Sequence, residues 1–338
     1  MLKKEADMAT LITTLPEKAF PHEVDALDIS TDQPTSVELR YADKVIFKST
    51  LYPIDGSIEL RDIASLLDNY LTGSISEFSV WLDGSKKDYT DIIPCKVNID
   101  VAAGDCGDSF FLTRATSKYT HRESKERLYC YASNPTFVVR AVVRIDNAAR
   151  TIIFRKPVSA SGIVGVDVSY SSIFKNVPYE VLQYTVEVGD ARVTFRIIPD
   201  GMADNVHEFG FINSFMQQEY ITLMGGADKE MKVERMHAIV GGQYRNFQVD
   251  SVPHWTVNSG EMLDGMTGLF EDFISSSKVW RKEDNCELAI TDSDFKCSDA
   301  NDAIPQGTVT LRETGRRYRH RLPQPVNTFD ITFDTTFL

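Results

Sequence analysis

The chain has 338 residues, 42% hydrophobic and 25% charged, with a formal net charge of −13. That length suggests two or three domains with ample core, and the composition excludes a disordered chain. The acidic balance argues against a role led by phosphate contacts with nucleic acid or by an anionic membrane surface.

Residues 1–35 read as an irregular N-terminal arm, broken by Pro16, Pro21 and Pro34. Order is expected from residue 36. Val37, Leu39 and Tyr41 alternate with polar neighbours, turn at Ala42-Asp43 and alternate again at Val45 and Phe47, the pattern of a hairpin. Asp55-Gly56 makes a second turn before Ile58 and Leu60. Ile63, Leu66, Leu67, Tyr70 and Leu71 then recur at helical spacing until Gly73. Phe78, Val80 and Leu82 lead to Asp83-Gly84, with Val97 and Ile99 as a further strand, and Val142 to Phe154 forms a hairpin around Asp146-Asn147. Residues 36–156 are therefore read as a β-sandwich domain with one short helix. The Pro/Ser/Gly-rich run through 156–162 is the candidate linker.

A second β-rich domain, with α+β character, is expected over 163–322. Tyr184, Val186 and Val188 turn at Gly189-Asp190, and strands at 220–224 and 231–239 are followed by a turn at Gly241-Gly242. Met262, Leu263, Met266, Leu269, Phe270, Phe273 and Ile274 predict an amphipathic helix near 261–276. Gly265 and Gly268 weaken it by about 1 kcal/mol each relative to Ala. Val309 and Leu311 approach a Glu313-Thr314-Gly315 turn, and the returning strand carries Arg317, Arg319 and Arg321 on one face. The fold class expected is mainly β with minor α and extended terminal arms.

No nucleotide-binding or hydrolase signature occurs, and the six His have no paired metal spacing. The expectation is no catalysis, no cofactor and no metal. The acidic stretch 283–302 lacks the loop Gly and terminal Glu of an EF-hand and reads as a solvated loop. No run of about 18 apolar residues suggests a membrane helix, and the N-terminus lacks a secretory pattern. The five cysteines, an odd number without a CxxC, read as reduced and mostly buried thiols of a protein folded in a cytosol.

The final segment, 323–338, places Phe329, Phe333 and Phe337 on one face of an extended strand, with Asp330, Thr332 and Asp334 opposite. Pro323 and Pro325 discourage ladder pairing just before it. Such a strand either completes its own sheet or docks on a neighbour's edge. The three Phe are the candidate assembly anchors, and Arg317, Arg319 and Arg321 are candidate register contacts.

Several patches carry a resemblance: Phe211-Ile212-Asn213-Ser214-Phe215 to Glu219-Tyr220, Lys232-Val233-Glu234-Arg235, the helix ending Phe273-Ile274-Ser275, Leu51-Tyr52-Pro53-Ile54-Asp55-Gly56, and the terminal Phe329 to Phe337 repeat. Together they resemble structural proteins from tail regions of phages and prophages of Bacteroidetes. The resemblance implies a virion protein at the tail tip or baseplate, such as a distal-tail-like ring adaptor. Its partners would be copies of itself, commonly in a six-fold ring, and other tail proteins, assembled in the host cytoplasm. The alternative from the residues is a carbohydrate-binding cell-surface protein of Ig-like sandwiches, with Trp81, Trp255 and Trp280 as a sugar platform.

Overall fold

The computed structural model describes residues 9–146, 148–296 and 304–315. The fold is mainly β with minor α, built as three successive β units. The first contains β1 (Thr10–Leu11), β2 (Lys18–Ala19), β3 (Leu27–Ser30), β4 (Thr35–Tyr41), β5 (Lys44–Leu51), β6 (Ser57–Leu60), α1 (Ile63–Leu67), β7 (Ser76–Leu82) and β8 (Ser85–Ile92). Its two sheets run β1-β3-β6 and β2-β8-β7-β4-β5. Alternation sends Val37, Leu39, Phe78 and Val80 into a common core with Leu27 and Ile29. The hairpin turns fall where both central residues accept positive φ, at Ala42-Asp43 and Asp83-Gly84.

Residues 9–35 are not the irregular arm expected from their prolines. Phe20, Val24, Leu27 and Ile29 are fully buried. Pro21 opens a short 3₁₀ turn, where its missing N–H leaves nothing unpaired. The Phe20 N–H donates to Glu23 Oε2 at 2.6 Å and fixes that turn.

The second unit contains β9 (Phe110–Phe111), β10 (Ser117–Thr120), β11 (Arg127–Ser133), β12 (Thr136–Ile145), β13 (Ala148–Pro157), β14 (Ser161–Asp167), α2 (Tyr170–Ile173), β15 (Glu180–Val188) and β16 (Ala191–Ile197). Sheets β10-β16-β15-β12-β13 and β14-β11-β9 enclose Cys130, Val139, Val164, Tyr184 and Phe195. The boundary expected at 156–162 therefore lies inside one unit. It is the crossing from β13 to β14, held by Val158 N–H to Pro135 O at 2.8 Å and Asn134 N–H to Ala160 O at 2.7 Å. A strand that changes sheets needs the same Pro, Ser and Gly as a linker, which is why composition alone misplaces it. The break between sandwiches falls instead over residues 93–109, which form no strand through Val97 and Ile99. Those two side chains pack with Phe20, Cys95, Leu112 and Phe215 where the units meet.

The third unit contains β17 (His207–Ile212), β18 (Gln218–Leu223), β19 (Ala227–Val240), β20 (Gln243–Asn258), α3 (Thr267–Ser275), β21 (Val279–Arg281), β22 (Glu287–Lys296) and β23 (Gln306–Glu313). They form one seven-stranded sheet, β18-β17-β21-β22-β23-β20-β19. Leu269, Phe270 and Phe273 of α3 bury against Phe209, Phe211, Val309 and Leu311.

The helix expected over 261–276 is shorter, a 3₁₀ turn at Asp264–Met266 followed by α3. The two glycines that weaken it bring the chain close to the second unit. Thr116 N–H donates to Gly265 O at 3.0 Å. A Cβ on Gly265 would stand 2.6 Å from the Ser117 backbone nitrogen, and one on Gly268 3.0 Å from Arg114 Cβ. Gly265→Ala should therefore destabilise the protein by about 1–3 kcal/mol, despite its better helix propensity. Denaturant titration of the two proteins checks the sign.

Candidate functional site

The described residues offer two places where side chains do more than fill a core. One is an ionic junction between the second and third units. The other is a projecting arm on the third.

At the junction, Lys118 of β10 is fully buried. Its ammonium donates to Tyr220 O at 2.7 Å and lies 3.0 Å from Glu126 Oε2 and 3.8 Å from Glu219 Oε1. Glu219 also accepts from Thr113 Oγ1 at 2.6 Å and Asn213 Nδ2 at 2.7 Å. Burial pushes both carboxyls above their usual range, and Lys118 pulls in the other direction. Beside this cluster, buried Asp272 of α3 accepts from Arg114 Nη1 at 3.2 Å and from Ser214 N–H at 3.2 Å and Oγ at 2.9 Å. The turn through 213–217 reaches all three units. Gln217 Nε2 donates to Gly73 O at 2.8 Å, Lys96 N–H donates to Ser214 O at 2.8 Å, and Asn213 Nδ2 donates to Leu112 O at 2.9 Å.

Nothing in this geometry pairs a nucleophile with a base. It is a junction of fixed charges whose cations are committed to its acids, while buried Glu126 Oε1 is left without a hydrogen-bond partner among the described residues. A cleft of about 520 Å³ nearby is lined by His121, His207, Glu208, Arg281 and Lys282. Its cations are also committed: Arg281 grips Asp284 through two bonds of 2.9 and 3.0 Å and reaches Glu313 at 3.2 Å, and Lys282 donates to Glu208 at 2.8 Å. Ser124 Oγ donates to the same Glu208 oxygen. Burial lowers the His207 pKa, favouring its neutral form.

The arm is the part of the β19–β20 hairpin that outruns the sheet. β20 pairs with β23 only over His254–Asn258. From Met231↔Pro253 outward to Val240↔Gln243 the two strands pair, among the described residues, with each other alone. At ~3.4 Å per residue, the ten residues from Met231 to Val240 extend ~34 Å. Gly241 and Gly242, both at positive φ, close the tip. Along the arm Met231 (47%), Met236 (56%), Ile239 (72%) and Tyr244 (73%) are exposed. The His237 ring stacks on Tyr244 with centroids 5.0 Å apart.

The residues singled out from sequence, Arg317, Arg319, Arg321, Phe329, Phe333 and Phe337, lie outside the described residues, as does Cys297. β23 and the Thr314 bend that lead towards them are present, with Thr314 N–H donating to Glu287 O at 3.2 Å. The three Trp do not share a platform. Trp81 lies in the first unit under the Arg40 guanidinium, 4.0 Å from the ring centroid. Trp255 is flanked by Arg281 and Lys229 at 5.4 and 5.7 Å. The Trp280 ring covers Gly210, on the sheet face away from α3.

Sequence reading found the first strand of the arm, over 231–239, and its Gly-Gly turn, but neither the long returning strand β20 nor the projection. The available signal was apolar residues on both faces of β19, with Met231, Val233 and Ile239 on one and Met236 on the other, set among charged neighbours. It missed Lys118, Glu126 and Glu219 altogether. A lysine in a short polar strand reads as exposed, and no local pattern distinguishes a buried one. Buried thiols were foreseen: burial raises Cys95 to about 12 and Cys130 to about 11.

No family model matches the chain, and no curated protein matches it. Solved structures show weak likeness, two of them as follows. One is a tri-modular endo-β-1,4-glucanase from Bacillus licheniformis complexed with cellotetraose, 12% identical, covering 57% of this chain and 39% of that one, with a TM-score of 0.19. The other is native α2-macroglobulin from Escherichia coli spanning domains MG0-NIE-MG1, 9% identical, covering 64% and 90%, with a TM-score of 0.23. The chain thus spans about two fifths of the glucanase, and at these scores neither likeness carries an argument about function.

Two outcomes follow from the junction. Lys118→Met leaves two carboxylates buried without their cation and should cost about 3–5 kcal/mol. The pH dependence has a definite sign. Glu126 holds its proton more tightly folded than unfolded, so its contribution is full at low pH and is lost as pH rises from the unfolded value through the raised folded one. Glu126→Gln mimics the protonated form, so its Tm relative to wild type should climb with pH across that window. Calorimetry over a pH series reads the difference.

Proposed function

We propose that the protein is a structural, subunit-assembling protein that holds copies and partners in place through projecting β elements, with no turnover of a substrate. One observation carries this: a two-stranded ribbon about 34 Å long that stands clear of its sheet with apolar side chains uncovered. An isolated two-stranded ribbon is marginal in water, so an arm of this kind gains its order from a surface or a third strand supplied by another subunit. The narrower reading is a phage tail protein, at the tail tip or baseplate or as a distal-tail-like ring adaptor. It is supported by the resemblance of the 211–220, 232–235 and 329–337 segments and places the protein in the virion. The C-terminal Phe329, Phe333 and Phe337 would act as further anchors, and Arg317, Arg319 and Arg321 as register contacts.

Replacing Lys232–Val252 by Asn-Gly joins Met231 to Pro253 through a tight turn and removes the arm while leaving the sheet. Light scattering after size exclusion should find the full chain oligomeric and the shortened chain monomeric, with far-UV circular dichroism showing that both are folded. Two folded monomers at every concentration tested would reject the proposal.

A further inference from the structure

β19 is an edge strand of fourteen residues, and no described strand pairs with its outer side. Native proteins blunt such edges with charged side chains, especially Lys, with proline or with bulges, and charges of a single sign add repulsion between two copies of the edge. The other long free edges do this. β5 carries Lys44 and Lys48 with no acid; β13 carries Arg150, Arg155 and Lys156, no acid, and ends in Pro157. β19 differs: it has no proline, and its charges alternate in sign through Asp228, Lys229, Glu230, Lys232, Glu234 and Arg235. The register shift in the hairpin places its extra residue, 247, on β20 and leaves β19 continuous.

Building on the assembly reading above, we propose that two copies of this chain associate by antiparallel pairing of their β19 edges about a two-fold axis at Val233. An axis perpendicular to the sheet keeps each residue on its own face, so only registers centred on a residue are allowed. Centring on Val233 puts position 232 of each copy opposite position 234 of the other, a lysine opposite a glutamate, twice. A centre one residue earlier sets Lys232 against itself, and one residue later sets position 234 against itself. Like charges directly opposite destabilise a ladder. The Val233 register also uses nearly the whole strand, since Ile239 falls opposite Ala227. It brings Val233 against its own copy beside the exposed Met231, and it lays the exposed Ile239 at the base of the partner's arm.

The whole β19–β20 hairpin carries Lys229, Lys232, Arg235 and Arg245 against Asp228, Glu230, Glu234 and Asp250, and is neutral on a chain of −13. It is therefore the surface on which two copies of an acidic protein approach with least repulsion.

Charge reversal tests the register in the full chain. Lys232→Glu and Glu234→Lys should each weaken self-association by about tenfold or more, because two attractive pairs become repulsive. Mixing the two variants should restore a heterodimer of wild-type strength, and so should the double exchange within one chain. Sedimentation equilibrium reads all four. Single variants that associate like wild type, or a mixture and double exchange that fail to rescue, overturn the proposal. Loss of association on removing the arm, with no response to these reversals, leaves the assembly reading standing and refutes this register. Association abolished only by deleting 323–338 assigns the edge to that segment and refutes it too.

Discussion

Everything the third unit presents to solvent depends on how it is seated, and the seat is built around one buried ammonium. Lys118 lies between Glu126 of its own unit and Glu219 of the next, and donates to the backbone of the strand that carries Glu219. An unpaired ion at this depth would cost several kcal/mol. The ladder of alternatives is therefore steep: shift β10 against β18 and a charge loses its partner in a dry site. Apolar contacts alone, as around Phe20, Leu112 and Phe215, tolerate sliding far better. The same logic holds at Asp272, which fixes α3 against Arg114 and against the 213–217 turn. We read the junction as a register device, and its high cost of breakage as the property that makes it one.

The arm has the opposite physics. Its root is the edge pair of a seven-stranded sheet covered by α3, where each strand gains from burial. Beyond Met231 and Pro253 the described residues show hydrogen bonds between these two strands and little else. Met236, Ile239 and Tyr244 are each more than half exposed on this one ribbon, and apolar side chains grouped on one element carry more meaning than the same residues scattered singly. The fold spends a well-anchored sheet on holding out a ribbon that does not stabilise itself, and that asymmetry gives the assembly reading its physical content.

Much of the fold is legible in the sequence because period-two alternation and positive-φ turn residues are local. The hairpins at Ala42-Asp43, Asp83-Gly84, Gly189-Asp190 and Gly241-Gly242 all form where the residues place them. Tertiary choices are less legible. Pro21 reads as a breaker but starts a buried turn, and Pro157 to Gly162 reads as a linker but joins two sheets of one sandwich. Gly265 reads as a flaw in a helix and is a contact with Ser117. In each case the residue type is right for the backbone it adopts, while its meaning depends on what lies across from it. The candidate site follows the same division. The first strand of the arm and its turn are visible in residues 231–242, whereas which strands lie beside the returning strand is a long-range choice that no local pattern marks.

Charge decides what an arm of this length accomplishes. At physiological salt the screening length is about 8 Å, so two bodies of like sign repel mainly on close approach. A nearly neutral ribbon about 34 Å long, if paired antiparallel with its twin as proposed, keeps the bodies apart by several screening lengths. Association then draws on backbone hydrogen bonds and a few apolar side chains at the arm without paying for contact between acidic surfaces. A short edge of the same composition would hold the two bodies within each other's field, and a single-sign arm would repel its twin along its length. The combination found in β19, long, continuous and alternating in sign, is the one that the proposed pairing of an acidic protein with its copy requires.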